Sequence, residues 1–124
     1  MKARKVKIGI KKAKSALDEF AQAGDAIARG EKVKPEKKVY FESLAGFRKA
    51  LTPKRLELLR VIRENHPKSM QELSRLSHRH MKNVLTDVSL LEGLGLVSVR
   101  RATKGRKEAA PHVNYARINL EIAV

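Results

Sequence analysis

The sequence predicts an α+β protein, on three observations. Apolar residues alternate with lysines near the start (Val6, Ile8, Ile10), recur at helical spacing through the middle, and alternate again near the end (Ile118, Leu120, Ile122). A period of two marks a strand with one apolar face, and a period near 3.6 marks an amphipathic helix. At 124 residues the chain fits one compact domain with an appendage. The division expected is a strand-helix extension and linker over 1–42, as a dimerisation element, and a main domain over 43–124.

The first strand, KVKIGI, is expected at an edge or as a pairing strand. Ser15 offers an N-cap for a helix with Leu17, Phe20, Ala21, Gly24, Ile27 and Ala28 on one side, and Gly30 supplies its stop. Glu31 to Lys38, EKVKPEKK, is charged and lacks apolar periodicity, so it reads as a solvated linker. Val39 to Phe41 adds a short strand, and Ser43 caps a helix with Leu44, Phe47 and Leu51 inward. In Thr52-Pro53 the threonine caps, and proline at the first helical position sacrifices no bonded N–H. That helix runs to about Asn65, burying Leu56, Leu59 and Ile62 with help from Leu58 and Val61.

Ser69 and Glu72 have the spacing of a capping box at the head of a short helix with Met70, Leu73 and Leu76 inward. After Ser77-His78-Arg79 a longer helix places Met81, Val84, Leu85, Val88 and Leu91 on its buried side, until Gly93 and Gly95 end it. Leu96 to Arg101 is β-prone and Thr103 to Lys107 is a flexible basic tip. The alternation at Ile118, Leu120 and Ile122 then reads as an extended return strand, so the region forms a wing.

Composition narrows the function. Lys+Arg number 28 against 13 Asp+Glu, a formal charge of +15, with a pI near 10.5. Such a field attracts polyanions, because neutralising each phosphate releases condensed counterions. Aromatic residues are only 4%, so the core must be aliphatic. The chain has no cysteine, which removes disulfides and thiolate chemistry and suits a reducing cytosol. No segment approaches the ~20 apolar residues of a membrane span or reads as a signal peptide. The expectation is a cytoplasmic, nucleoid-associated protein with no membrane contact.

Round the helix after Ser77, the residues opposite the buried stripe are Arg79, Lys82, Asn83, Thr86 and Leu90. A solvated helix usually shows Lys/Glu pairs; this face instead carries groups that hydrogen-bond bases and phosphates. The segment SMQELSRLSHRHMKNVLTDVSLLEGLGLVSV resembles the helix-turn-helix and first wing strand of MarR-like regulators, and LLEGLGLV is its most recognisable piece. With KVKIGI, YFESL and LTPKRLELLRVI, the whole chain is similar to a family of predicted prokaryotic DNA-binding regulators. The resemblance implies a winged helix-turn-helix whose second helix enters the major groove. It implies base or phosphate contacts from Arg79, His80, Lys82, Asn83 and Thr86, support from Ser69 and Gln71, and wing contacts from Arg101, Lys104, Arg106 and Lys107. The turn departs from the pattern in carrying His78 where many members have glycine. His80 also sits near the N-cap, where Ser, Thr or Asp would be stronger.

The expected function is therefore sequence-specific binding of double-stranded DNA by a homodimer, as a transcriptional repressor. Two rivals stand beside it: an antitoxin that caps a toxin partner while its winged domain autoregulates, and a non-specific chromatin or RNA-binding module. Nothing suggests an enzyme. No Ser/His/Asp order, phosphate loop or paired acidic site stands out, and no cofactor is expected. His78 and His80, beside a cation and without a nearby carboxylate, make a poor metal-ligand set, and His66 and His112 are isolated in turns. The two apolar alternations at the chain ends are expected to pair in a sheet, within a subunit or across a dimer, because neither can hide its apolar face and its amides alone.

Overall fold

In the computed structural model, residues 4–30, 37–101 and 109–123 are described, and they form five helices and five strands of a mixed α and β protein. The chain divides into two units. One joins Met1–Lys49 to Arg117–Val124, and the other is Ala50–Ala116. The boundary thus falls later than residue 42, and the C-terminal strand returns to the first unit instead of closing the second.

The first unit is a three-stranded parallel sheet with the order β2-β1-β5, from β1 (Lys5–Ile10), β2 (Lys37–Phe41) and β5 (Arg117–Ile122). The expected meeting of the chain ends is present within one subunit: Val6 stands beside Ile118, Ile8 beside Leu120 and Ile10 beside Ile122. β1 is the central strand, not an edge, because β2 pairs on its other side. Lys37 and Lys38, assigned to the linker, belong to β2. The register gathers Val6, Ile8, Ile10, Val39, Phe41, Ile118, Leu120 and Ile122 on one face, and Lys7, Gly9, Tyr40, Asn119 and Glu121 on the other. Val6, Ile8 and Ile10 are buried, whereas Leu120 and Ile122 on the edge strand stay largely exposed.

Helix α1 (Ala13–Ala28) starts earlier than expected. Lys12 holds the N-cap position without a side-chain bond, and Ser15 lies inside the first turn. Gly30, at φ 79°, ends the helix as expected. α1 meets the polar face of the sheet: the Tyr40 hydroxyl donates to Glu19 (2.9 Å), and Lys11 Nζ reaches both Glu19 (2.5 Å) and the Tyr40 ring (4.7 Å to its centroid). Gly9 lies under that ring, and a Cβ there would come within 3.0 Å of it. Burial, then the bond to Glu19, push the Tyr40 hydroxyl up to about 12. Helix α2 (Leu44–Ala50) begins with Ser43 Oγ accepting from the Gly46 amide (3.0 Å). Phe47 packs edge-on against Phe41 (5.7 Å), while Leu44 is exposed rather than inward.

The second unit carries helices α3 (Pro53–Asn65), α4 (Met70–Ser77) and α5 (Met81–Gly93), then an antiparallel pair, β3 (Ser98–Arg101) and β4 (Ala109–His112). Its core is aliphatic, as expected, with Leu51, Leu58, Leu59, Ile62, Met70, Leu73, Val84, Val88, Leu91, Leu96 and Val97 buried. Thr52 Oγ1 accepts from the Arg55 amide at the head of α3, with Pro53 at its first turn. Leu56 faces out, and Leu58 takes the inward place given to it. The return partner of β3 is β4, AAPH, not the Ile118 strand. Tyr115 closes the core, its buried hydroxyl donating to the Leu96 carbonyl (2.8 Å), and burial raises that hydroxyl to about 12.

Candidate nucleic-acid interface

The segment from Ser69 to Gly93 is built by its end chemistry. Ser69 Oγ accepts from the Glu72 amide (3.1 Å), and the Glu72 carboxylate reaches back to the Lys68 amide (3.5 Å), one residue before the partner a capping box implies. At the other end of α4 the Arg79 amide donates to the Ser74 carbonyl and the His78 amide to that of Arg75, the paired bonds of a Schellman motif. That motif needs a left-handed residue, and His78 supplies it at φ 56°. The position where glycine is usual is therefore the left-handed position here too, filled at some steric cost. α5 starts at Met81, with extended His80 as its N-cap and no side-chain bond.

The exposed side of α5 carries Lys82, Asn83, Leu85, Thr86 and Ser89. Leu85, expected inward, faces water, and its place in the buried stripe is taken by Asp87 beside Val84, Val88 and Leu91. The Thr86 hydroxyl donates to the Lys82 carbonyl one turn back (3.0 Å), which fixes the rotamer and leaves the oxygen free to accept. His80 is exposed beside this face, and Gln71 is exposed on α4, while Ser69 is spent as a cap.

Arg79 is not on that face. It precedes the helix, so the wheel does not govern it, and its Nη2 donates to Asp87 Oδ2 (2.6 Å). Arg55 of α3 donates from Nε to Asp87 Oδ1 (3.0 Å) and from Nη1 to the Ala50 carbonyl (3.0 Å). Two cations from different elements thus clamp one buried carboxylate on α5. Burial works against ionising Asp87, but the hydrogen bonds from Arg79 and Arg55 outweigh it and hold the carboxyl below its ordinary value. Sequence reasoning missed Asp87. The signal was there: an acid at the 84, 87, 88, 91 spacing of a buried stripe, in a chain this basic, calls for a cationic partner.

Arg101 lies at the end of β3, where both terminal nitrogens meet the Glu92 carboxylate (3.2 and 3.3 Å). Lys104, Arg106 and Lys107 lie outside the described residues. Among the described residues no group of His, Cys, Asp and Glu could hold a metal ion, and no helix is long and apolar enough to cross a membrane.

A comparison with curated proteins gives no match. A family model matches residues 50–120, which span the whole second unit and enter β5. Since that is more than half of its length, the chain belongs to the HVO_A0114 family.

Proposed function

We propose that α4 and α5 act as a helix-turn-helix, with β3 and β4 as the stem of a wing, and that the protein is a sequence-specific double-stranded DNA-binding regulator, acting as a repressor. The observation that carries this reading is the exposed face of α5. Lys82, Asn83 and Thr86 project together from a helix whose opposite side is fixed by the core and by the Arg55–Asp87–Arg79 clamp. Asparagine pairs bidentately with adenine, lysine with guanine or phosphate, and threonine with either base edge or the thymine methyl. The resemblance of this segment to MarR-like regulators supports the same assignment, and the +15 charge supplies the phosphate affinity.

Selection of genomic fragments by the purified protein, followed by titration of the best fragment, random duplex and RNA, tests the reading. Asn83→Ala is expected to cost about 1 to 3 kcal/mol on the preferred site and less on random DNA. Equal losses on both would reduce Asn83 to a positioning contact. The charge also favours a second reading, non-specific polyanion binding, and equal affinity for all three nucleic acids would establish that one instead.

A further inference from the structure

α1 presents its apolar side to water. Leu17, Phe20 and Ile27 are 67%, 79% and 63% exposed, and they lie on one line of the helix with Gly24. The side that meets the sheet is a different one, marked by Glu19 and by half-buried Ala23 and Ala26. Hence the sheet cannot be what the stripe is for.

Gly24 makes the stripe more than an exposed patch. Glycine weakens a helix interior relative to alanine, and a Cβ built at Gly24 meets nothing within 4 Å. Nothing in the described residues of the chain requires glycine there; the close approach of another body would. The stripe is also self-complementary. About position 22, Leu17 and Ile27 lie five residues to either side, and Phe20 and Gly24 two residues to either side. Two copies of α1 crossing antiparallel at that point set each Phe20 ring against the partner's bare Gly24 and each Leu17 against the partner's Ile27. Ala21 and Ala28 flank the line and let the backbones approach. A two-fold interface requires this property, that one surface fits itself.

Charge excludes one class of occupant. Within a strongly basic chain, α1 is an acidic element, with Asp18, Glu19 and Asp25 against Lys14. Nucleic acid is repelled there, and the choice of a second copy rests on the self-complementary spacing of the stripe. We infer that the α1 stripe is the seam of a homodimer, formed by antiparallel packing of α1 on α1 of a second copy, with Phe20 seated over Gly24. The inference does not depend on the DNA-binding reading, and its test contains no DNA.

Sedimentation of the full chain over a concentration series should give twice the 14.0 kDa monomer mass. Phe20→Asp and Gly24→Leu should each return it to the monomer mass with circular dichroism unchanged, since both positions are open to solvent in the single chain. The chain has no cysteine, so introduced thiols report the register. Leu17→Cys/Ile27→Cys should oxidise to a covalent dimer, and Leu17→Cys alone should not. A monomer at every concentration, a dimer indifferent to both Phe20→Asp and Gly24→Leu, or equal cross-linking by Leu17→Cys alone would each overturn it. So would a 1:1 complex with a foreign protein that Phe20→Asp abolishes while the isolated chain stays monomeric.

Discussion

At the scale of single residues, Asp87 decides how firmly α5 is held. Its carboxylate joins Arg55 from α3 and Arg79 from the turn, so a nearly buried side chain ties the helix that carries Lys82, Asn83 and Thr86 to both neighbours. Asp87→Asn keeps the shape and removes the charge, leaving two guanidiniums without their anion. The expected loss is about 2 to 3 kcal/mol, below the range for a fully buried pair because both guanidiniums retain some water. The pH dependence has a definite sign. The folded-state pKa lies below the unfolded one, so the stabilisation is complete above the ordinary aspartate range and is lost as pH falls through the folded value. Chemical denaturation from pH 7 downward should therefore show an acid-side loss in the native protein that is smaller in Asp87→Asn. His78 offers a second test. Its left-handed backbone strains a side chain with a Cβ, and His78→Gly relieves this at the cost of unfolded-state entropy. The variant should melt at the same temperature or higher, by up to about 1 kcal/mol, whereas His78→Val should melt lower.

At the scale of elements, what was legible in the sequence follows from how local each signal is. Thr52-Pro53, Ser69 and Gly95 act on amides within a turn, and each does what its neighbours imply. The start of α1 was misplaced because a serine can cap only if the chain is extended there, and the helix had already begun at Ala13. β4 escaped notice because AAPH has neither alternation nor β-branched residues; it is a strand because Val99 and Arg100 stand opposite Pro111 and Ala110. Leu85 left its expected inward side, and Asp87 took that place, for a comparable reason. Hydrophobicity alone ranks leucine inward, but the two arginines make the aspartate the better-solvated group inside. For the proposed wing, the contribution of Lys104, Arg106 and Lys107 can be tested directly. Neutralising all three should weaken binding to most sequences and flatten the slope of log affinity against log salt by up to about one unit per lost phosphate contact. An unchanged slope would set the wing apart from the DNA, and Arg101, tied to Glu92, should contribute less than any of the three.

At the scale of the whole molecule, the connectivity places Ala50–Ala116 between two pieces of one sheet. The strand that closes that sheet is the last in sequence, and β1 holds it through parallel pairing and the Lys7–Glu121 ion pair (2.6 Å). The two apolar alternations made the pairing legible; that β1 would be central was not, because the second partner, β2, carries Lys37 and Lys38 and has the composition of a linker. The topology predicts unequal consequences for trimming the two ends. Deleting residues 1–11 removes the strand to which both others bond, so β2 and β5 lose every sheet partner they have among the described residues. Deleting 117–124 removes only an edge, leaving β1 and β2 paired but stripping Ile118 and Leu120 from beside Val6 and Ile8. The second unit has its own core and its own capped helices, so neither deletion touches a residue that holds α3, α4 and α5 together. Hydrogen exchange followed by mass spectrometry resolves the difference. The 1–11 deletion should raise exchange throughout 37–41 and 117–122, the 117–124 deletion should raise it chiefly in 5–10, and 53–93 should keep its protection in both. Loss of protection in 53–93 after either deletion would mean that the sheet is needed for the three-helix unit to fold.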